Sequence, residues 1–126
     1  LYEFSGIFDA EVWFKIWGYN IETVMAEKVE TILSRGIFNT RPRDYYDIYI
    51  LSTTQNYDIK VFKEALFATA KHRESNEKIK DADTIIKMLS ISKDLQNMWL
   101  KYQKRYAYAA NITYDQIIVI LEKLLA

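Results

Sequence analysis

The sequence predicts a mainly α-helical bundle of about five or six helices preceded by one short strand, and three observations predict it. After Asn20, apolar residues recur at three- and four-residue spacing over most of the chain. Helix-starting and helix-stopping residues stand at the ends of those periodic runs. Only one stretch, VWFKIW at 12–17, is short, β-branched and aromatic enough to be read as a strand, with Gly18 ending it. The 126 residues, half of them apolar and 15% aromatic, suffice for one core and not comfortably for two. With no internal repeat, low-complexity tract or Pro/Gly-rich linker, residues 1–126 read as a single helical domain.

The elements follow in order. Asn20 is a candidate N-cap, Glu22 lies in the first turn, Arg35 in the last and Gly36 at the C-terminal cap, giving a first helix over 21–35. After the short connection FNTRP, Pro42 suits the first turn of a second helix running to Thr53. Asp58 caps a third helix through Arg73, whose apolar positions Val61, Phe62, Ala65, Leu66 and Ala68 fit a helical period. ESNEKIKDAD reads as a polar loop, followed by a fourth helix from Thr84 to Leu89 and a fifth from Lys93 to Ala109. The last start is marked by Thr113 and Gln116, which have capping-box spacing before IIVILEKLL.

Composition narrows the function. Lys plus Arg equals Asp plus Glu at 17 each, so no overall field draws the chain to nucleic acid or to an anionic membrane; such contacts need a local patch. The absence of cysteine excludes a disulfide framework and a thiolate metal site and suits a cytoplasmic location. One histidine, His72, argues against a histidine-rich metal centre or a serine triad. No apolar run approaches the roughly 18 to 20 residues that span a bilayer, and the start lacks a signal-peptide pattern. The chain also opens without methionine, within an apolar stretch, as a cut inside a longer protein would.

The candidate functional residues are charges placed beside apolar surface. On the first helix Lys28 falls between members of the stripe Ile21, Val24, Met25, Val29 and Ile32, and shares a face with Thr31 and Arg35. On the second, Asp44 and Asp47 are i, i+3 neighbours, and Arg43 and Asp47 are i, i+4. Helices joined by so short a loop pack antiparallel, which turns the two charged faces toward one cleft. One reading is an ion network that pins the two helices. The other is a cation pair, Lys28 and Arg35, set to grip a polyphosphate.

The run IETVMAEKVETILSR followed by RPRDYYDIYIL resembles the AbiEii/AbiGii toxin family, in its A-E-K helix, the arginine one or two turns later and the R-x-[RK]-D-x-x-D-[IL] helix start. The likeness extends over roughly residues 4 to 75. It implies a toxin of a toxin–antitoxin or abortive phage-infection system, with a nucleotidyltransferase core and a helical C-terminal part. Mg²⁺ and a nucleoside triphosphate would serve the full-length protein, with an antitoxin protein and a tRNA-like RNA acceptor as partners. The family's G-[GS]-[ST] turn and D-x-D metal pair are missing before Lys28, and the only D-x-D, Asp81 to Asp83, lies on the wrong side. The resemblance therefore implies a C-terminal portion that is inactive alone, binds no metal itself and lacks the N-terminal catalytic core.

Carried over by position, Lys28 matches a lysine that grips nucleotide phosphates, and Asp44 an aspartate that acts as base or orients the acceptor hydroxyl. Arg35 is a candidate either for the triphosphate or for simply closing the helix end. Arg41 and Arg43 are open to either a substrate or a structural role, Asp47 to fixing Arg43 or the helix pair, and Glu27 to a supporting salt bridge. Two other functions remain: a non-catalytic helical module that binds an antitoxin protein or RNA, and a stand-alone degenerate relative. Elsewhere, His72 and Arg73 read as basic residues closing a helix end. WLKYQKRYAYAAN mixes cations with aromatics, which suits either core packing or a stacking and phosphate surface.

Overall fold

A computed structural model describes residues 20–126, which form seven α-helices joined by short turns, with no strand among the described residues. The strand read at 12–17 lies outside them. Helix α1 (Ile21–Arg35) begins where the Asn20 side chain accepts the Thr23 amide at 2.8 Å. It ends at Gly36, whose φ of 53° is left-handed and whose amide donates to the Ile32 carbonyl. A 3₁₀ turn, Gly36–Phe38, leads to α2 (Pro42–Thr54), with proline at its start. Then come α3 (Ile59–His72), α4 (Asn76–Lys80), α5 (Ala82–Ile91), α6 (Lys93–Arg105), a 3₁₀ turn at Ala107–Ala109, and α7 (Tyr114–Leu124) with the expected capping box.

Helix α1 is the central element, packed on α2 and α3. Its stripe Val24, Met25, Val29 and Ile32 is buried, whereas Ile21 is only partly so. Helix α2 contributes Tyr45, Tyr46, Ile48 and Leu51, and the far side is closed by α5, α6 and α7 through Leu89, Trp99, Ile117 and Leu121.

Three boundaries differ from the sequence reading. The supposed loop over 74–83 contains α4 and the start of α5. Helix α3 closes with Glu74 in a left-handed conformation (φ 56°) and the Ser75 amide bonded to the Ala70 carbonyl at 2.8 Å. The next turn is helical because it brings Ile79 onto the core, and Ala82 opens α5 as a buried residue. The fifth predicted helix stops at Arg105, not Ala109, since tertiary bonds take over the following backbone. Trp99 Nε1 donates to the Ile112 carbonyl at 2.8 Å, and Gln103 Nε2 donates to the same oxygen at 2.6 Å. On α3 only Phe62 and Leu66 of the predicted stripe are fully buried; Val61 and Ala68 face outward, and Ala70 is buried instead.

Candidate functional site

The sequence places a lysine on an apolar stripe, and the fold shows what holds it there. Lys28 Nζ lies 3.3 Å from Asp44 Oδ1 and 3.2 Å from Asp47 Oδ2. Its side chain is 15% exposed, those of Asp44 and Asp47 2% and 0%. The packing of α1 on α2 thus brings Lys28, Asp44 and Asp47 into one cluster. Asp44 stands in the first turn of α2, where the helix N-terminus favours its negative charge. Arg41 adds a second cation, with Nη2 at 3.7 Å from the same Oδ1 and a side chain about half exposed.

Not every carboxylate oxygen of the cluster accepts a hydrogen bond. Asp44 Oδ2 is buried and accepts no hydrogen bond among the described residues. Buried carboxylate oxygens are usually satisfied, so an orphan one at the edge of an ion cluster marks strain or a reacting partner.

The other sequence-derived residues are distributed around it. Arg43 is half-buried, and its Nη2 reaches the Tyr108 hydroxyl at 3.5 Å. That hydroxyl shares a 2.8 Å hydrogen bond with the hydroxyl of Tyr102. Glu27 is half-buried, with its backbone carbonyl accepting the Thr31 hydroxyl at 2.9 Å. Arg35 is not drawn in: it is exposed at the end of α1 and makes no ion pair among the described residues. Arg73 does more than complement a helix end. Its Nη1 lies 2.6 Å from Glu30 Oε1, tying the end of α3 to α1, while Ser34 Oγ donates to Glu30 Oε2 at 2.6 Å.

Sequence periodicity missed Glu30 because it lies on the face toward α3, which only the packing makes an interior one. Burial by itself would raise its carboxyl, but the hydrogen bonds from Ser34 and Arg73 and the charge of Arg73 outweigh this and hold it below the ordinary glutamate value. Tyr108 is one of the aromatics of WLKYQKRYAYAAN, but its contact with Arg43 and Tyr46 was not legible, since only the 3₁₀ turn after α6 turns it back onto α2.

Beside the cluster sits an aromatic wall. The rings of Tyr46 and Tyr108 lie 4.8 Å apart, as do those of Tyr102 and Tyr106, and Trp99 stacks on Tyr102 at 5.2 Å. Burial, reinforced by Tyr108 and Asp47, pushes the Tyr46 phenol up to about 12. Burial likewise raises Tyr45, Tyr102 and Tyr114. The segment after Trp99 therefore divides by face: Trp99 and Tyr102 enter the core, while Lys101, Lys104 and Arg105 face outward.

Asp44 and Asp47 do not fit the divalent cation that the family resemblance implies. The Lys28 ammonium stands between the two carboxylates, where a dication would have to lie. Among the described residues no group of three or more His, Cys, Asp or Glu is arranged to hold a metal ion. None of the described helices is long and apolar enough to cross a membrane.

A family model described as "Nucleotidyl transferase AbiEii toxin, Type IV TA system" matches residues 2–118. No curated protein and no solved structure matches the chain.

Proposed function

Because the chain belongs to the AbiEii nucleotidyl transferase toxin family of type IV toxin–antitoxin systems, we propose that the α1/α2 junction is the part of the enzyme that receives substrate. The observation that carries this reading is the orphan Asp44 Oδ2 beside a lysine that is the most exposed member of its three-residue cluster. An incoming nucleotide phosphate draws the Lys28 ammonium outward, exchanging a carboxylate partner for a phosphate one. Asp44 is thereby freed to hold the acceptor hydroxyl. As the hydroxyl oxygen bonds to the α-phosphorus and pyrophosphate departs, the proton passes to Asp44. Asp47, with the lowest exposure of the three, keeps the helices in register. Arg41, half exposed at 3.7 Å from Asp44, and Arg35, exposed at the end of α1, supply further charge for a triphosphate.

In this reading the chain is the helical portion of the toxin and transfers nothing alone, since neither a G-[GS]-[ST] turn nor a D-x-D pair precedes Lys28. RNA is the acceptor class and a cognate antitoxin the regulatory partner. The pairing of Lys28 with two carboxylates favours a second reading, a non-catalytic helical module whose charges only pin α1 to α2 and which binds the antitoxin or RNA elsewhere. Expression of the full-length toxin with Asp44→Asn separates the two. Loss of growth inhibition in a toxin that melts cooperatively supports a substrate role, and undiminished growth inhibition rejects it.

A further inference from the structure

A second feature adjoins the cluster. Between the start of α2 and the outer face of α6 lies a cleft of about 670 Å³. Arg41, Arg43, Lys101 and Arg105 line it, with Asp94 as the sole carboxylate among the described lining residues. Four cations against one acid is a concentration of charge in a chain whose formal net charge is +0.

Among the described residues Lys101 and Arg105 make no ion pair, and both are exposed. The Arg105 guanidinium lies 5.4 Å from the centroid of the Tyr106 ring, which also lines the cleft. The cleft thus offers unpaired positive charge and an aromatic face together, the combination that holds a phosphate and the base attached to it. The first turn of α2, a helix of 13 residues, contributes its positive end to the same space.

We propose that this cleft binds the phosphate of a nucleotide, free or within an RNA strand, through Lys101 and Arg105, with Tyr106 as a platform for the base. The inference stands apart from the chemistry assigned to Asp44. Arg41 connects the two places, since it lines the cleft and also reaches Asp44 Oδ1.

The test is a titration of the isotope-labelled 126-residue chain followed through the backbone amide resonances of Lys101, Arg105 and Tyr106. Three probes are used: pyrophosphate, ATP and a short single-stranded RNA. Saturable shifts at these amides are expected, weakened about tenfold or more by the double change Lys101→Glu, Arg105→Glu and by added salt. Both side chains are exposed, so an unchanged circular dichroism melt verifies that the fold survives. Tighter binding of the RNA than of ATP at equal salt assigns the phosphate to a strand, and the reverse order assigns it to a free nucleotide; either supports the site. Absence of saturable shifts with all three probes overturns it. So does binding that survives the double change but disappears in Asp44→Asn, a result that would leave the reading of Asp44 standing.

Discussion

Replacing Lys28 with methionine keeps the length of the side chain and removes the charge, and its cost follows from the geometry of the cluster. The ammonium is 3.3 and 3.2 Å from oxygens of two carboxylates whose side chains are 2% and 0% exposed. At an effective dielectric of about 20, each contact is worth roughly 5 kcal/mol of gross attraction, much of which offsets the desolvation of the charges. Without the lysine, two buried carboxylates are left facing each other, with Arg41 at 3.7 Å from Asp44 as a partly exposed remedy. The loss is therefore expected to approach that of breaking a buried pair, about 3–5 kcal/mol. For a domain of this size that lowers Tm by at least about 12 °C. The assay is urea and thermal unfolding by circular dichroism at pH 7 for Lys28→Met, Asp47→Asn and the double variant. The double variant should lose less than the sum of the singles, by about 1–3 kcal/mol. A loss under about 1 kcal/mol for Lys28→Met, the range of exposed ion pairs, would refute the reasoning. Because Lys28 carries structure in this way, loss of toxicity on its removal would say little about catalysis.

Glu30, whose carboxyl is held below its ordinary value in the fold, contributes stability that is present above the unfolded-state value of about 4.5 and is lost as pH falls through the lower folded value. Glu30→Gln should lower Tm at pH 7 and flatten its fall between about pH 5 and 3; parallel acid limbs in the two proteins would contradict this. In alkaline titration followed by tyrosinate absorbance, Tyr45, Tyr46, Tyr102 and Tyr114 should ionise only with the loss of helical circular dichroism. One gradual step complete before unfolding would show these rings to be accessible. Gly36→Ala adds a methyl to open space at φ 53°, so it should cost about 1–3 kcal/mol in urea unfolding from backbone conformation alone. The isolated 126-residue chain, supplied with Mg²⁺ and nucleoside triphosphates, should transfer no label to RNA; turnover abolished by Asp44→Asn would contradict the proposed division of the toxin.

The helices were legible where local chemistry decides them. Asn20, Gly36, Pro42, Asp58 and Thr113 each act through neighbours within four residues, and each marks a helix end in the structure. Sequence signals failed where distant contacts decide. A polar run became α4 because Ile79 reaches the core, and α6 ended early because Trp99 and Gln103 capture the carbonyl of Ile112. The same division holds at the site. The facing of Lys28 and Asp44 was legible from helical spacing and a short loop. Arg35 shares that spacing but sits in the last turn, where the helix runs out into solvent. The pairing of Glu30 with Arg73, 43 residues apart, and of Arg43 with Tyr108, 65 apart, depends on how α3 and the turn after α6 return to α1 and α2.

The central claim is that Asp44 serves the reaction while Asp47 serves the fold, and paired isosteric substitutions in the longer toxin proposed above test it most directly. Each of Asp44→Asn and Asp47→Asn leaves Lys28 one carboxylate partner, so both should remain folded, with melting curves used to match the assay temperature to each variant's stability. The measurement is transfer of label from an α-phosphate-labelled nucleoside triphosphate to RNA. Asp47→Asn should retain transfer once corrected for its folded fraction, and Asp44→Asn should lose it by about a hundredfold or more, as expected when a group acting on the transferred proton is removed. Full transfer by folded Asp44→Asn would contradict the claim and leave the cluster as a pin between two helices.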